Sequence, residues 1–251
     1  MKAWRAALVG VVALWALAVV LYVAGVMPQE RATPLQASVA IGFFETKTGL
    51  QQQGGSGTVI RENATHYYIL TAKHVALSVP DSGHWEAQTS DGYTLGMLEL
   101  FAVDGKNDLA LFRINKNNTY APVGVGYVCN HEPRVLDEVY AIGQALGREI
   151  TVTRGIIGHA RALSALWEEG FQNTPPVDDA AVKKIPHYMH DALILPGSSG
   201  GGLFDTRAGC LLGVNTSIAT IPGFYSSQVI GNKAYAVLRA DIVDFLRRAF
   251  P

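Results

Sequence analysis

The chain has 251 residues, 49% of them hydrophobic and 16% charged, with a formal net charge of −1. That length carries a substantial core, in one domain or two small ones. The charge balance gives no basic excess of the kind a nucleic-acid partner requires, and no fixed-period repeat is visible. Cys129 and Cys210 are the only cysteines. They offer no metal-ligand spacing, and both a disulfide and two buried thiols fit them equally well.

From Ala6 to Met27 there is no charged residue. This run is long enough to cross a bilayer as a helix. Lys2 and Arg5 precede it, while Glu30 and Arg31 roughly cancel after it, so the positive-inside rule leaves residues 1–5 in the cytoplasm and the remainder outside. Trp4 and Tyr22 fall near its two ends, where interfacial aromatics belong. A cleaved signal peptide would have a shorter apolar core, about 7–15 residues, and a small-residue cleavage site. Val23-Ala24-Gly25-Val26-Met27-Pro28 is a poor one. An uncleaved transmembrane signal anchor over 6–27 is therefore expected, with a Pro-containing linker over 28–36.

Beyond the linker, short apolar runs broken by Gly, Asn and Asp predict an all-β domain. Strands are expected over 38–44, 54–60, His66–Thr71, Thr94–Val103 and 109–114, the makings of a first six-strand set. The segment 103–108 forms a turn before the last of them. A second set is expected over 135–143, 149–159, 191–195, 202–205, 211–218 and 233–238. Between them, 160–186 reads as a long irregular loop, of the length that is often functional. Ile242, Phe245, Leu246 and Phe250 share one helical face, with Asp241 near its start and Arg247-Arg248 near its end, so 241–250 is predicted helical.

The stretch Pro196-Gly197-Ser198-Ser199-Gly200-Gly201-Gly202 sets a serine among glycines, between apolar segments. Such a turn can present a hydroxyl and aim backbone N–H groups at a developing oxyanion. A tight glycine turn without chemistry fits the stretch equally well until a base and an acid are found. The last histidine is His190, so the base cannot follow Ser199 as it does in α/β-hydrolases. No aspartate precedes Asp81, which rules out the acid-base-serine order with His74 as base. The order His, Asp, Ser remains. His74 stands at the end of a buried strand, whereas His66, His84, His131 and His159 lie in polar or alternating contexts. Asp108 immediately precedes a buried strand, while Asp104 is expected in the exposed part of the same turn. His187 and His190 lack a third ligand nearby, so no metal site and no cofactor are expected.

Gly55-Ser56-Gly57-Thr58-Val59-Ile60, Leu70-Thr71-Ala72-Lys73-His74-Val75, Asn107-Asp108-Leu109-Ala110-Leu111, Gly197-Ser198-Ser199-Gly200-Gly201 and Gly213-Val214-Asn215-Thr216 together resemble the trypsin-like serine proteases, most of all their HtrA (Deg) branch. The likeness spans roughly 38–250. It implies two perpendicular six-stranded antiparallel β-barrels of the chymotrypsin kind, about 37–120 and 121–240, followed by the terminal helix. It also implies catalytic His74, Asp108 and Ser199, and an oxyanion hole from the N–H groups of Gly197 and Ser199. A specificity pocket would be lined by Leu193, Asn215, Thr216, Ser217 and Ile218.

An apolar Leu193, where trypsin would need an aspartate, points to a small or medium aliphatic residue at P1, because a cation there would be buried unpaired. The implied partners are protein or peptide substrates and the membrane. Trimerisation, common in the family, is left open. Two departures stand out. The sequence ends at the terminal helix, where HtrA proteins usually continue into PDZ domains, and Ser198 replaces the asparagine frequent in that branch. The competing reading is a latent or inactive membrane-tethered homologue that binds extended peptides by strand addition.

Overall fold

Twelve strands with apolar residues on their inward faces close into two barrels. They are seen in a computed structural model that describes residues 31–49, 51–77, 82–116, 123–147, 149–165, 184–222 and 227–251. After a four-residue helix α1 (Pro34–Ala37), capped by Thr33 and Gln36, come β1 (Ser38–Glu45), β2 (Gln51–Glu62) and β3 (His66–Thr71). A five-residue helix α2 (Lys73–Leu77) follows, then β4 (Gly83–Thr89), β5 (Thr94–Val103) and β6 (Ala110–Asn115). All pairings are antiparallel, and the closed order is β1-β2-β3-β6-β5-β4. Closure leaves no free edge that could pair with another chain.

The second barrel holds β7 (Glu138–Gln144), β8 (Ile150–Ala165), β9 (Lys184–His190), β10 (Gly202–Asp205), β11 (Leu211–Pro222) and β12 (Ser227–Val237). Its closed order is β10-β11-β12-β9-β8-β7. Helix α3 (Arg239–Ala249) ends the chain. The all-β class, the two six-stranded barrels and the terminal helix are thus as the sequence predicts. The anchor over 6–27 lies outside the described residues. No helix among the described residues is long and apolar enough to cross a membrane.

Several strands run longer than expected, β2 from Gln51, β8 to Ala165, β11 to Pro222 and β12 from Ser227, and three further details differ. Strand β4 was not foreseen, because His84, Glu86 and Gln88 alternate with only two inward apolar side chains, Trp85 and Ala87. The sixth strand of the second barrel is β9, which begins inside the segment 160–186 expected to be irregular and runs past it to His190, while β8 extends into the same segment as far as Ala165; 191–195 is not a strand. Its apolar residues serve a turn instead: Ala192 and Ile194 are buried, while Asp191 Oδ1 accepts the Ile156 N–H at 2.6 Å. Strand β7 starts at Glu138, since the Asp137 carboxylate accepts the Arg134 N–H at 2.7 Å and closes a turn where 135 and 136 were read as strand.

The first core, built on Ile41, Val59, Ile69, Leu70, Leu111 and Phe112, runs on into Ile142, Phe204, Val214 and Phe245, so the barrels share apolar contact. Each fully buried Leu, Ile or Phe side chain contributes roughly 1.5–3 kcal/mol. A second cluster around Val139, Ile157, Tyr188, Leu203 and Leu212 fills the other barrel. Helix α3 reaches back to the first barrel. Phe250 packs on Tyr68 and Phe101 at ring separations of 4.8 and 5.5 Å, and Arg248 pairs with Asp104 at 3.0 Å. Cys129 and Cys210 form a disulfide that joins the connector between the barrels to the start of β11, beside the Cys129 N–H to Leu211 O bond.

Candidate active site

Strand β3 ends at Thr71 and the chain turns at once into α2, because the Ala72 carbonyl accepts from Val75 and Ala76. His74 is thereby set on the first turn of a short helix, at the barrel rim. Its backbone N–H donates to Asp108 Oδ1 at 2.9 Å, and its ring Nδ1 lies 2.6 Å from Asp108 Oδ2. This double contact fixes both the position of the residue and the orientation of the ring.

Asp108 is presented by the 104–108 turn, which Asp104 builds. Asp104 is buried, contrary to the exposed place expected for it. It accepts the N–H groups of Lys106 and Asn107 at 2.7 and 3.3 Å, the Asn107 amide at 3.1 Å and the Arg248 guanidinium. Of the two aspartates, Asp104 therefore supports the turn and Asp108 faces the histidine. The Thr216 hydroxyl donates a short hydrogen bond to Asp108 Oδ2. Burial by itself would raise the Asp108 carboxyl, but the His74 ring, the Thr216 hydroxyl and the His74 N–H together hold it below the ordinary carboxylate value. It is an anion with every neighbour donating to it.

Ser199 lies on the turn after 191–195. The Ser199 hydroxyl donates to the Thr216 carbonyl at 3.4 Å, so one residue, Thr216, bonds both Asp108 and Ser199. Two glycines of the turn have backbone angles that favour glycine, Gly197 at φ +95° and Gly200 at φ +83°. A Cβ on Gly197 would come within 2.2 Å of the Gln144 carbonyl, and one on Gly200 within 2.1 Å of Thr71 Oγ1. The Pro196 carbonyl accepts the Leu146 N–H at 2.6 Å. Because the Pro196–Gly197 peptide is trans, the Gly197 N–H points the opposite way. Among the described residues neither that N–H nor the Ser199 N–H donates to a protein acceptor.

Two residues that organise this turn, Ser56 and Leu146, have no role that the sequence assigns them. Ser56 donates its hydroxyl to the Gly197 carbonyl at 2.8 Å, accepts the Gln144 N–H at 2.7 Å, and donates its own N–H to the Ser199 carbonyl at 2.8 Å. It links β2 of the first barrel to β7 and the serine turn of the second. Leu146, in the short 3-10 turn Ala145–Gly147, has a left-handed backbone (φ 56°) and an exposed side chain, and its N–H holds Pro196. That backbone is strained for a leucine.

The pocket candidates divide. Leu193 is nearly half exposed, with its carbonyl held by the Thr153 hydroxyl at 2.7 Å. Ser217 and Ile218 are half-buried on β11. Asn215 and Thr216 are buried with their side chains turned inward, to His190 and to Asp108, so substrate contact at 215 and 216 would come through the backbone. Among the described residues, Cys129, His131 and Cys210 bring metal-capable atoms within 4.8 Å of one another, but the two sulfurs are joined in the disulfide.

A profile described as "Trypsin-like peptidase domain" matches residues 55–214, which include His74, Asp108 and Ser199. The serine protease PepD of Mycobacterium tuberculosis is 34% identical over 203 residues, which are 78% of this chain and 40% of that protein. A "Probable periplasmic serine endoprotease DegP-like" of Brucella suis is 32% identical over 170 residues, 67% of this chain and 28% of its own length. Among solved structures, a serine endoprotease from Yersinia pestis superposes with a TM-score of 0.60 at 25% identity, over 87% of this chain and 64% of that one. A protease from M. tuberculosis in its active form gives 0.63 at 17% identity, over 86% and 82%, a likeness of fold. This chain spans less than half the length of these curated relatives. With the matched profile covering well over half of its residues, the chain belongs to the trypsin-like peptidase family, beside the DegP-like (HtrA) serine proteases.

Proposed function

We propose that the protein is a serine endopeptidase that hydrolyses peptide bonds through an acyl-enzyme. Ser199 Oγ attacks the scissile carbonyl carbon as His74 takes its proton. The oxyanion so formed accepts from the N–H groups of Gly197 and Ser199, each donor being worth about 2.7–4 kcal/mol in such sites. His74 then passes its proton to the departing amine, leaving the acyl group on Ser199. A water gives its proton to His74 and attacks the ester, and the carboxylate product leaves as Ser199 recovers its proton. Asp108, held ionised, orients the ring and stabilises the imidazolium in both halves.

The observation that carries this reading is the chain of contacts from His74 through Asp108 and Thr216 to Ser199, drawn from four separate segments. Replacing Ser199 by alanine is expected to abolish peptide hydrolysis while the variant melts like the parent. Proteolysis undiminished in Ser199→Ala would end the reading. The apolar, accessible Leu193 supports a small or medium aliphatic P1 residue; a cleavage profile dominated by Lys or Arg would overturn that part. The charge-free run over 6–27 supports tethering to a membrane with the protease outside the cytoplasm, and "periplasmic" in the name of the Brucella relative agrees with it. The full chain should resist extraction by alkaline carbonate, and release into the soluble fraction would contradict a spanning anchor.

A further inference from the structure

His190 has no part in the acyl-enzyme route, yet it is fully buried at the end of β9, directly before the segment that leads to Ser199. Its Nε2 lies 3.1 Å from Asn215 Oδ1. The far side of that amide is oriented too, since Asn215 Nδ2 donates to the Gly202 carbonyl at 3.4 Å. Oδ1 is therefore the acceptor, and the neutral imidazole carries its proton on Nε2. Nδ1 is left as a bare lone pair with no hydrogen-bond partner among the described residues.

Asn215 holds the nucleophile turn to β11. Its carbonyl accepts the Gly200 N–H at 2.7 Å, and its N–H donates to the Gly201 carbonyl at 2.8 Å. The next residue, Thr216, bonds Asp108 and Ser199. A shift of Asn215 is thus transmitted to both sides of the site.

Burial opposes a second proton on His190 and outweighs the Asn215 amide, the Asp191 charge and the Ala192 backbone, which favour it. Asp191, next in the chain, is the charge that acts on the ring, and its carboxylate is turned to the Ile156 N–H. Opposite His190 stand Ile157 on β8 and Ala234 on β12, and Asn215 faces it from β11, none of them charged. The nearest titratable side chains on the two paired strands are His159 on β8 and Tyr235 on β12, both opposite Met189, and the exposed Lys233 on β12; His187 and Tyr188 precede His190 on β9 itself.

We propose that His190 is a positioning residue for Ser199: as a neutral imidazole it holds Asn215, which holds Gly200 and Gly201, and on taking a second proton it leaves its site and releases the turn. Burial is the dominant influence on the ring and lowers its pKa to about 4 from an ordinary 6.5, against the opposing pull of Asn215, Asp191 and the Ala192 backbone. Because the folded value is depressed, the stability tied to His190 is complete above about pH 6.5. It is lost as pH falls through the folded value, the unfolded chain taking the proton first. The effect on turnover rests on the serine-protease reading; the effect on stability does not.

The test uses the full chain with His190→Ala and with His190→Gln, whose amide keeps an N–H donor and does not titrate. At about pH 8, His190→Ala should lower kcat about tenfold with KM within about twofold, the cost of a lost buried hydrogen bond, and His190→Gln should recover most of it. In thermal melts from about pH 8 down to 4, the parent should lose more Tm than His190→Gln. Parent-like kcat in His190→Ala, or parallel melting profiles for the parent and His190→Gln, would overturn the proposal. If the parent hydrolyses no peptide, the protease reading fails and the melts alone decide the role of His190. If His190→Ala does not fold, the comparison of parent with His190→Gln decides it.

Discussion

Replacing Thr216 by valine removes one hydroxyl at nearly constant volume, and that hydroxyl is one of the donors to a buried carboxylate. The carbonyl of residue 216 remains to accept the Ser199 hydroxyl, so the serine turn keeps its attachment. Asp108 also keeps both contacts from His74. What is lost is a hydrogen bond to a charged group, worth about 1.5–3 kcal/mol. With two donors left to share the anion, the lower half of that range applies, and kcat should fall by about ten- to fortyfold at nearly constant KM. The same loss weakens the interactions that hold the Asp108 carboxyl below its ordinary value. A carboxyl depressed on folding adds stability above its unfolded value, near 3.8, that disappears as pH falls through the folded value. Thr216→Val should therefore lose stability at a higher pH than the parent during acid unfolding. Steady-state kinetics on a peptide substrate and acid-unfolding curves together make the assay. A variant with kcat within twofold of the parent and a superimposable acid curve would refute the role given to Thr216.

Ser56→Ala leaves the Gly197 carbonyl and the Gln144 N–H without their partner. It is expected to lower kcat by about tenfold or more with modest loss of Tm, on the cost of unsatisfied buried groups; parent-like kcat would show the link to be dispensable. Reducing the Cys129–Cys210 bond, which encloses a loop with a sequence separation of 81, should cost about 2–5 kcal/mol in denaturant unfolding. An unchanged midpoint under reduction would contradict that. Gly197→Ala must move the Gln144 carbonyl or turn the Pro196–Gly197 peptide. It should cost more activity than Gly105→Ala, where an added Cβ meets nothing within 4 Å; equal effects in hydrolysis assays would refute the geometry.

The barrels were legible because most strands are short apolar runs, such as 38–44, His66–Thr71 and 110–114, bounded by glycine, asparagine and aspartate turns, and such punctuation needs no tertiary knowledge. Strand β9 was hidden because Pro186 and two buried histidines, His187 and His190, break the apolar pattern that marks a core strand. The run 191–195 misled for the opposite reason. Its Ala192 and Ile194 belong to the core of the second barrel although the backbone there forms no ladder, and a buried turn and a buried strand share one composition. His74, Asp108 and Ser199 could be picked out because residue type and chain order alone restrict who can be acid, base and nucleophile. Ser56 could not, since its side-chain partners lie 88 and 141 residues away and all three of its bonds to the turn and β7 are made to backbone atoms. Leu146 acts through its N–H, which no side-chain reading can detect. The Asp104 environment was misjudged because Arg248, which covers it, comes from the far end of the chain.

The central claim is that Ser199 is a nucleophile driven by His74. Incubation of the protein with a fluorophosphonate probe, followed by peptide mapping in a mass spectrometer, measures this without a known substrate. A single covalent adduct is expected on Ser199, and His74→Ala should suppress it. Absence of that adduct, or labelling indifferent to His74→Ala, would contradict it.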